Sequence, residues 1–488
     1  MEPRLEYSLE SPLRASYDVT MKVAIIAPPV SLTPVSVFPR HPPLLAAQLA
    51  ATVRNSGAEV VVLDAFQENL SVSDTVSAVL AESPDAVVIM PNDVARETPA
   101  AITGAISSGF RRAGGSAVLI AAGVGNIKWM RELVTEVPCL DGAVVGDPEE
   151  AVPELLGAIA AGAAWQDMPF VVTGTLPSKQ VRPAVLKHLD TLPIPAWDLV
   201  GLDKYVVLAH RKLRGIEYPI FASRGCYWNR CTFCQDLACV KSPDYRMRSP
   251  EAVVSEMEAA ATTYGAKHFL FHDGVFPNSV RWLERFANAV DASGLQCTWF
   301  CMARADGVTP EKLRLMKRAG CKNMCYGLES GSEQLLRDMD KGQTLEQARD
   351  AVRWTKAAGI EVSATFVFGF PGETVEMASR TIEFAVELDV DYAQFMLVKW
   401  HHIPELGLSP GSFSEEWELT QYDYRGMVFV PSSYGSLSRL KFVRSYAFAR
   451  FYLRPSFFLK VASKIGSLND LRRFAQGGAT LVSAMLNK

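Results

Sequence analysis

Ser223-Arg224-Gly225-Cys226-Tyr227-Trp228-Asn229-Arg230-Cys231-Thr232-Phe233-Cys234 places three of the chain's nine cysteines within nine residues. Thiols grouped this way point to metal or cluster ligation. Structural zinc wants a fourth protein ligand with its own pair spacing, and no second C-x2-C or H-x3-H follows. A disulfide framework fits no better, since nine is odd and no charged start, apolar run and cleavage site mark the chain for secretion. Three soft sulfur donors suit a [4Fe–4S] cluster whose fourth iron has no protein ligand and can bind a small molecule. Cys226, Cys231 and Cys234 are the candidate ligands. Cys239 offers a second trio, Cys231, Cys234 and Cys239, spaced C-x2-C-x4-C.

The loop follows a short apolar run at 219–222, and similar runs recur at 267–272, 297–302, 323–328, 362–368 and 393–398, with helical segments between them. Six such units predict a partial (βα)6 barrel of the TIM type, which places its chemistry at the strand carboxyl ends. Upstream, apolar runs at 23–27, 60–63, 86–90, 117–122 and 142–145 alternate with helices and end at Ala27-Pro28, Asp64, Pro91, Gly123 and Gly146. That pattern predicts a Rossmann-like, doubly wound parallel sheet with its ligand site beyond the strand ends. No G-x-G-x-x-G follows the first strand, so a dinucleotide is not indicated. The expected divisions are an extension at 1–20, the sheet domain at 21–160, a linker at 161–210, the barrel at 211–400 and a helical region at 401–488. Proline at alternate positions in Leu192-Pro193-Ile194-Pro195 reads as a semi-rigid spacer.

Four motifs fall at predicted barrel strand ends: the cysteine loop, His272-Asp273-Gly274-Val275-Phe276, Tyr326-Gly327-Leu328-Glu329-Ser330-Gly331-Ser332, and Phe368-Gly369-Phe370-Pro371-Gly372-Glu373-Thr374. In this order they resemble the radical SAM superfamily, in its cobalamin-binding branch. The resemblance covers most of the chain. It departs in one place: the family's usual loop is C-x3-C-x2-C, and here one extra residue separates Cys226 from Cys231. The SRGC context favours Cys226 as first ligand.

The resemblance implies that the cluster binds S-adenosylmethionine and reduces it to methionine and a 5′-deoxyadenosyl radical. Phe233 would pack on adenine, Glu329 would contact the methionyl or ribose groups, Arg304 would take the carboxylate, and Gly369, Pro371 and Gly372 would form a close turn beside the ligand. Asp273, Glu329 and His401 are the candidate catalytic residues; His402 and Glu405 lie beside the last. A cobalamin would lie against Pro28, Pro91, Gly123, Gly125 and Gly146, and the D-x-H-x-x-G motif that gives cobalt a histidine is missing. The activity implied by the resemblance is methylation of a poorly activated carbon in a small molecule of the natural-product class. Methylcobalamin would carry the methyl group, with a flavodoxin or ferredoxin as electron donor. Cyclisation, rearrangement or decarboxylation without methyl transfer is the alternative, and an electron-transfer or binding protein that does not cleave SAM is a second.

Composition agrees with packed globular domains: 488 residues, 49% hydrophobic, 21% charged. A net charge of -4 gives no basic footprint for nucleic acid, and no apolar run reaches the length of a membrane span. Free thiols in this number suit a reducing, cytoplasmic setting. Cys297, Cys301, Cys321 and Cys325 read as core residues. The aromatic and basic C-terminal stretch holds Phe457-Phe458-Leu459, readable as a packed amphipathic helix or as a contact with a membrane surface.

Overall fold

The computed structural model describes residues 21–29, 42–91, 99–123, 127–174, 181–205, 216–234, 245–400, 411–417 and 427–465. His401, His402, Glu405, Gly125 and Cys239 lie outside them.

The first sheet holds β1 (Lys22–Ala27), β2 (Glu59–Asp64), β3 (Ala86–Ile89), β4 (Val118–Ala121), β5 (Gly142–Val144) and β6 (Val171–Val172), in the order β2-β1-β3-β4-β5-β6. The first five are parallel, and β6 runs antiparallel to β5. Chain direction across the sheet reverses at β1 and β3, so the crevice of a doubly wound sheet opens beyond Pro28 and Pro91. Both faces are covered: Val23, Ile25 and Val88 pack with the helices Leu44–Asn55 and Pro148–Ala160 on one side. Ala24, Ile26 and Val87 pack with Val76, Ile106 and Leu133 on the other. This two-sided burial explains why the strands read as unbroken apolar runs.

The described residues of the segment read as a linker, 161–174 and 181–205, pack against both domains. They contribute β6, and Ala184 bridges to Gly146. The Ala196 amide donates to Ala47, and the Gln48 side chain donates to the Pro193 carbonyl. Trp197 is buried edge-on to Tyr218 in the next domain, with ring centroids 5.8 Å apart. Leu189, Ala196, Trp197 and Leu202 supply apolar surface that alternating prolines alone do not reveal, and burying it fixes the segment against both domains.

The second sheet is parallel throughout. β7 (Glu217–Ile220) leads to a small hairpin of β8 (Ser223–Arg224) and β9 (Arg246–Met247). Then follow β10 (His268–Phe271), β11 (Thr298–Ala303), β12 (Cys321–Glu329), β13 (Glu361–Phe368) and β14 (Tyr392–Leu397), in the order β14-β13-β12-β11-β10-β7. This is the expected six-stranded partial barrel. Its helices start where the sequence provides hydroxyls: Ser249, Ser279, Thr309, Thr344 and Thr374 each accept an amide of the first turn. Phe271, Phe276, Trp282, Phe286 and Trp299 fill the layer between sheet and helices, with Phe276 stacked on Trp299 at 4.9 Å. Cys301 and Cys321 are buried and Cys297 is half-buried on this core, where burial pushes the Cys297 thiol up to about 11.

The C-terminal region is helical from Leu437, with helices Leu437–Tyr452 and Pro455–Lys464. A small antiparallel sheet of β15 (Lys399–Trp400), β16 (Gly411–Trp417) and β17 (Met427–Pro431) precedes them. The first helix seats Phe448 and Phe451 on Phe395 of β14, covering the barrel's edge strand.

Candidate active site at the barrel mouth

The cysteine loop leaves β8 at the carboxyl end of the barrel. Asp273, just past β10, holds its start: the carboxylate accepts the Ala222 amide at 3.1 Å, the Ser223 hydroxyl at 2.5 Å and the Ser223 amide. Burial pushes this carboxyl up to about 7 against the pull of those bonds. Asp273 therefore shapes the loop.

The extra residue between Cys226 and Cys231 is absorbed locally. Asn229 adopts a left-handed backbone, φ +46°, which asparagine tolerates better than most side chains. The turn throws Trp228 outward between two guanidiniums, Arg230 at 4.9 Å and Arg304 at 4.7 Å from the ring centroid. Trp228 Nε1 donates to the Asp340 carbonyl at 2.6 Å, and the Thr232 amide donates to Met339. The indole lies against Gly342, where a Cβ would come within 2.0 Å of it.

Residues 339–343 thus close over the loop, and they carry a cation that sequence reasoning passed over. Lys341 is buried and donates to Glu329 Oε1 at 2.7 Å, with its ammonium 5.9 Å from the Phe233 ring. Burial pulls the ammonium down, but Glu329 and Cys231 outweigh it and hold Lys341 above its ordinary value. Glu329 ends β12 in a left-handed conformation, φ +65°, beside a register shift between Gly327 and Glu329. A Cβ on Gly327 would lie 2.4 Å from Glu329 Oε1, so the missing side chain makes room for the ion pair. Gln343 donates to the Gly327 carbonyl and steadies the same bend.

Arg304 is buried and already engaged: it grips Asp306 at 3.0 and 2.9 Å and donates to the Lys341 carbonyl at 2.6 Å. Its Nη1 is 4.0 Å from Cys231 Sγ. Of the two cations, Lys341 keeps the larger donor capacity: one of its three N–H groups has an acceptor, against four of the five on Arg304. Phe233 meets Phe370 edge-on at 6.5 Å, which brings the Gly369–Gly372 turn to the same place. Gly369 and Gly372 have φ of +87° and +84°, the reason glycine occupies both. Glu373 closes the turn, its Oε2 accepting the Gly369 amide at 2.6 Å and the Tyr434 hydroxyl at 2.8 Å. Burial pushes that carboxyl up to about 7, and its Oε1 is buried without a partner.

Cys226, Cys231, Cys234, Phe233, Arg304, Glu329, Gly369, Pro371 and Gly372 therefore share one mouth. The donor set fits a cluster: three half-buried thiols in one loop, with cations beside Cys231. Among the described residues no three His, Cys, Asp or Glu side chains are gathered tightly enough for a single metal ion.

The first sheet meets this mouth through a buried ionic seam. Arg224, two residues before Cys226, donates to Asp147 at 2.9 Å and to Glu149 at 2.5 and 3.0 Å. Arg246 of β9 donates to Asp147 at 2.6 Å, and the Leu186 amide to the same carboxylate at 2.8 Å. Burial would raise the Asp147 carboxyl, but Arg224 and Arg246 overcome it and hold it below the usual range. Gly146 belongs to this seam too: φ is +102°, and a Cβ would strike the Ala184 carbonyl. Pro28, Pro91 and Gly123 sit at the crevice, where a Cβ on Gly123 would be 3.7 Å from the Pro91 carbonyl. Arg246 Nε and Nη2 are buried in the seam without partners. No histidine occurs among the described residues from 21 to 174.

Residues 220–385 match the radical SAM superfamily. A Pyrococcus horikoshii protein named as an uncharacterized methyltransferase is 29% identical over 90% of this chain and 94% of its own length. The anaerobic magnesium-protoporphyrin IX monomethyl ester cyclase of Rubrivivax gelatinosus is 24% identical over 90% of this chain and 78% of its own. Among solved structures, the radical S-adenosylmethionine methyltransferase TsrM of Kitasatospora setae, determined with cobalamin and a [4Fe–4S] cluster, superposes with a TM-score of 0.68 at 19% identity, covering 90% of each chain. Residues 220–385 are a radical SAM domain, carried in the two-domain α/β fold of the cobalamin-binding radical SAM enzymes.

Proposed function

We propose that the chain is a cobalamin-dependent radical SAM methyltransferase that methylates a poorly activated carbon of a small molecule, a natural product being the class that the resemblance favours. The ionic seam carries this reading. Arg224 ties the cysteine loop to the Gly146–Glu149 strand end, so the carboxyl ends of both parallel sheets open toward one cleft, where a ligand of each sheet can meet.

Cys226, Cys231 and Cys234 would hold the cluster in this reading, and the strand ends at Pro28, Pro91, Gly123, Gly125 and Gly146 would hold the corrinoid. Bound there, the cluster supplies one electron to S-adenosylmethionine and the corrinoid supplies the methyl group. Lys341 takes the SAM carboxylate, for of the two buried cations beside Cys231 it has the more donors to spare. Glu329 orients Lys341 and the ribose side of the ligand. Phe233 and the Gly369–Gly372 turn form the adenine wall. Arg304 and Trp228 brace the loop from outside, and Asp273 positions its first turn. His401 stays a candidate acid or base on the substrate side. A flavodoxin or ferredoxin in a reducing cytoplasm would supply the electron.

The test is anaerobic reconstitution with iron, sulfide, hydroxocobalamin, reductant and methyl-labelled SAM. Label reaching cobalt with release of S-adenosylhomocysteine supports the proposal. The similarity to the cyclase, spanning 90% of this chain, favours one second reading, radical cyclisation without methyl transfer. In that case 5′-deoxyadenosine forms while cobalt is never methylated.

A further inference from the structure

The Gly369–Gly372 turn is clasped by the C-terminal region as well as by the barrel. Phe370 shares a small core with Val367, Met339 and Phe429 of β17, and Phe233 packs against it. A Cβ on Gly369 would meet Leu440 at 3.0 Å and the Phe429 carbonyl at 3.1 Å, so the C-terminal region sits directly on the backbone of the turn. One residue spans the junction. Glu373 Oε2 accepts the Gly369 amide at 2.6 Å from the turn and the Tyr434 hydroxyl at 2.8 Å from the segment Ser432–Tyr434. The Glu373 carbonyl accepts the Ser433 hydroxyl at 2.6 Å.

Glu373 is 1% exposed, and its second carboxyl oxygen, Oε1, has no hydrogen-bond partner. A carboxylate buried as an ion gathers donors at both oxygens or a cation beside one. Two donors on one oxygen and none on the other is the arrangement of a neutral acid, with Oε2 as its carbonyl oxygen and Oε1 carrying the proton. Burial acts in the same sense, pushing the carboxyl up to about 7 against the Gly369 amide and Tyr434. Tyr434 is the titratable group that meets it, and burial pushes that hydroxyl well up, so it keeps its proton. Arg439, on the helix Leu437–Tyr452, pulls on Tyr434 and on the exposed Glu376 at the start of the helix Val375–Leu388. Lys341, two residues past Met339 of the small core, answers Glu329.

We infer that Glu373 is a positioning residue that holds the Gly369–Gly372 turn in its SAM-binding shape only as the neutral acid, with Tyr434 of the C-terminal region as the other half of the clasp. The inference rests on that turn being the adenine wall. Loss of the proton leaves a charge in an apolar pocket on an oxygen without a donor. Water must enter or the carboxylate must swing out, and either one loosens the Gly369 amide and the Tyr434 hydroxyl together.

The test is equilibrium binding of SAM to the reconstituted full-length chain across neutral pH, paired with hydrogen exchange of the 368–374 backbone without SAM. Wild-type affinity should fall by roughly tenfold between about pH 6 and about pH 8. Glu373→Gln keeps a neutral oxygen for both donors, so it should bind like the wild type at the acid end and hold that affinity at the basic end. Ionisation of the amine of SAM itself shifts both proteins alike and cancels in the comparison. Tyr434→Phe removes a donor that favours the charged form, so its midpoint should move to higher pH. Exchange at 368–374 should rise over the same range in the wild type beyond the rise in Glu373→Gln. Should Glu373→Gln not fold, the wild-type and Tyr434→Phe profiles decide. Wild-type and Glu373→Gln profiles that run parallel in both measurements overturn the inference, as does a midpoint that Tyr434→Phe leaves in place. Affinity that falls as expected while exchange at 368–374 stays level overturns it too, because the residue then acts other than through the turn. Exchange that follows the expected course while SAM affinity ignores it is a separate result: the turn then moves without touching the ligand, and the adenine-wall reading fails, taking the inference with it.

Discussion

Lys341 and Glu329 form a buried pair whose members depend on each other. Lys341→Met should weaken SAM binding by on the order of tenfold or more, read by equilibrium binding to the reconstituted protein. It should also destabilise the fold by about 3–5 kcal/mol, because it leaves a carboxylate buried without its cation. Adding Glu329→Gln should recover much of that stability and none of the SAM affinity. Glu373 makes a prediction in pH. Its carboxyl, at about 7 when folded, lies above the ordinary 4.5. Between those values the folded chain keeps a proton that the unfolded chain has released, so stability falls as pH rises from about 4.5 to about 7 and stays lower beyond. The contribution is at most about 3 kcal/mol. Thermal unfolding across this range should show a shallower decline in Glu373→Gln, with Asp273 supplying part of what is left. The grouping of the three thiols was legible in the sequence because their spacing is local, whereas Phe233 came from the family resemblance. Lys341 was not legible, since it stands on no apolar strand and joins the site through the turn after the short helix Glu333–Asp338. The Lys341-Gly342 pair was the available signal, a glycine marking close approach.

At the scale of elements, the strands of both sheets lie within a few residues of the apolar runs, because two-sided burial writes itself as unbroken hydrophobicity. The helix starts were equally readable from Ser and Thr. The packing of residues 181–205 was not, since it depends on contacts with two domains at once, which Pro193 and Pro195 do not announce. The same distinction governs residues 339–343, whose placement depends on the bare Cα of Gly342 with φ of +65°. Gly342→Ala must displace Trp228 and strain the backbone together. It should lower the iron retained after reconstitution by several fold, measured as iron per chain, with little change in far-ultraviolet circular dichroism.

For the whole molecule, the decisive contacts are those that a one-dimensional reading cannot pair: Arg224 with Asp147 and Glu149, separated by 77 and 75 residues. All three side chains are nearly inaccessible, so neutralising the acids leaves two buried guanidiniums short of partners. Asp147→Asn/Glu149→Gln should uncouple the domains. Calorimetry should resolve one unfolding transition in the wild type and two in the variant, the barrel's shifted least.

The left-handed turn at Asn229 reaches beyond this molecule. One residue there lengthens the span between the first two thiols, and the surplus is spent sideways on an indole clasped by two arginines. Thiol spacing is therefore an elastic coordinate, while the strand end before the loop and the bare glycine that receives the tryptophan are the rigid ones. A pattern written with three fixed positions between Cys226 and Cys231 would pass this chain by. One anchored on the strand end and the distant glycine would find it.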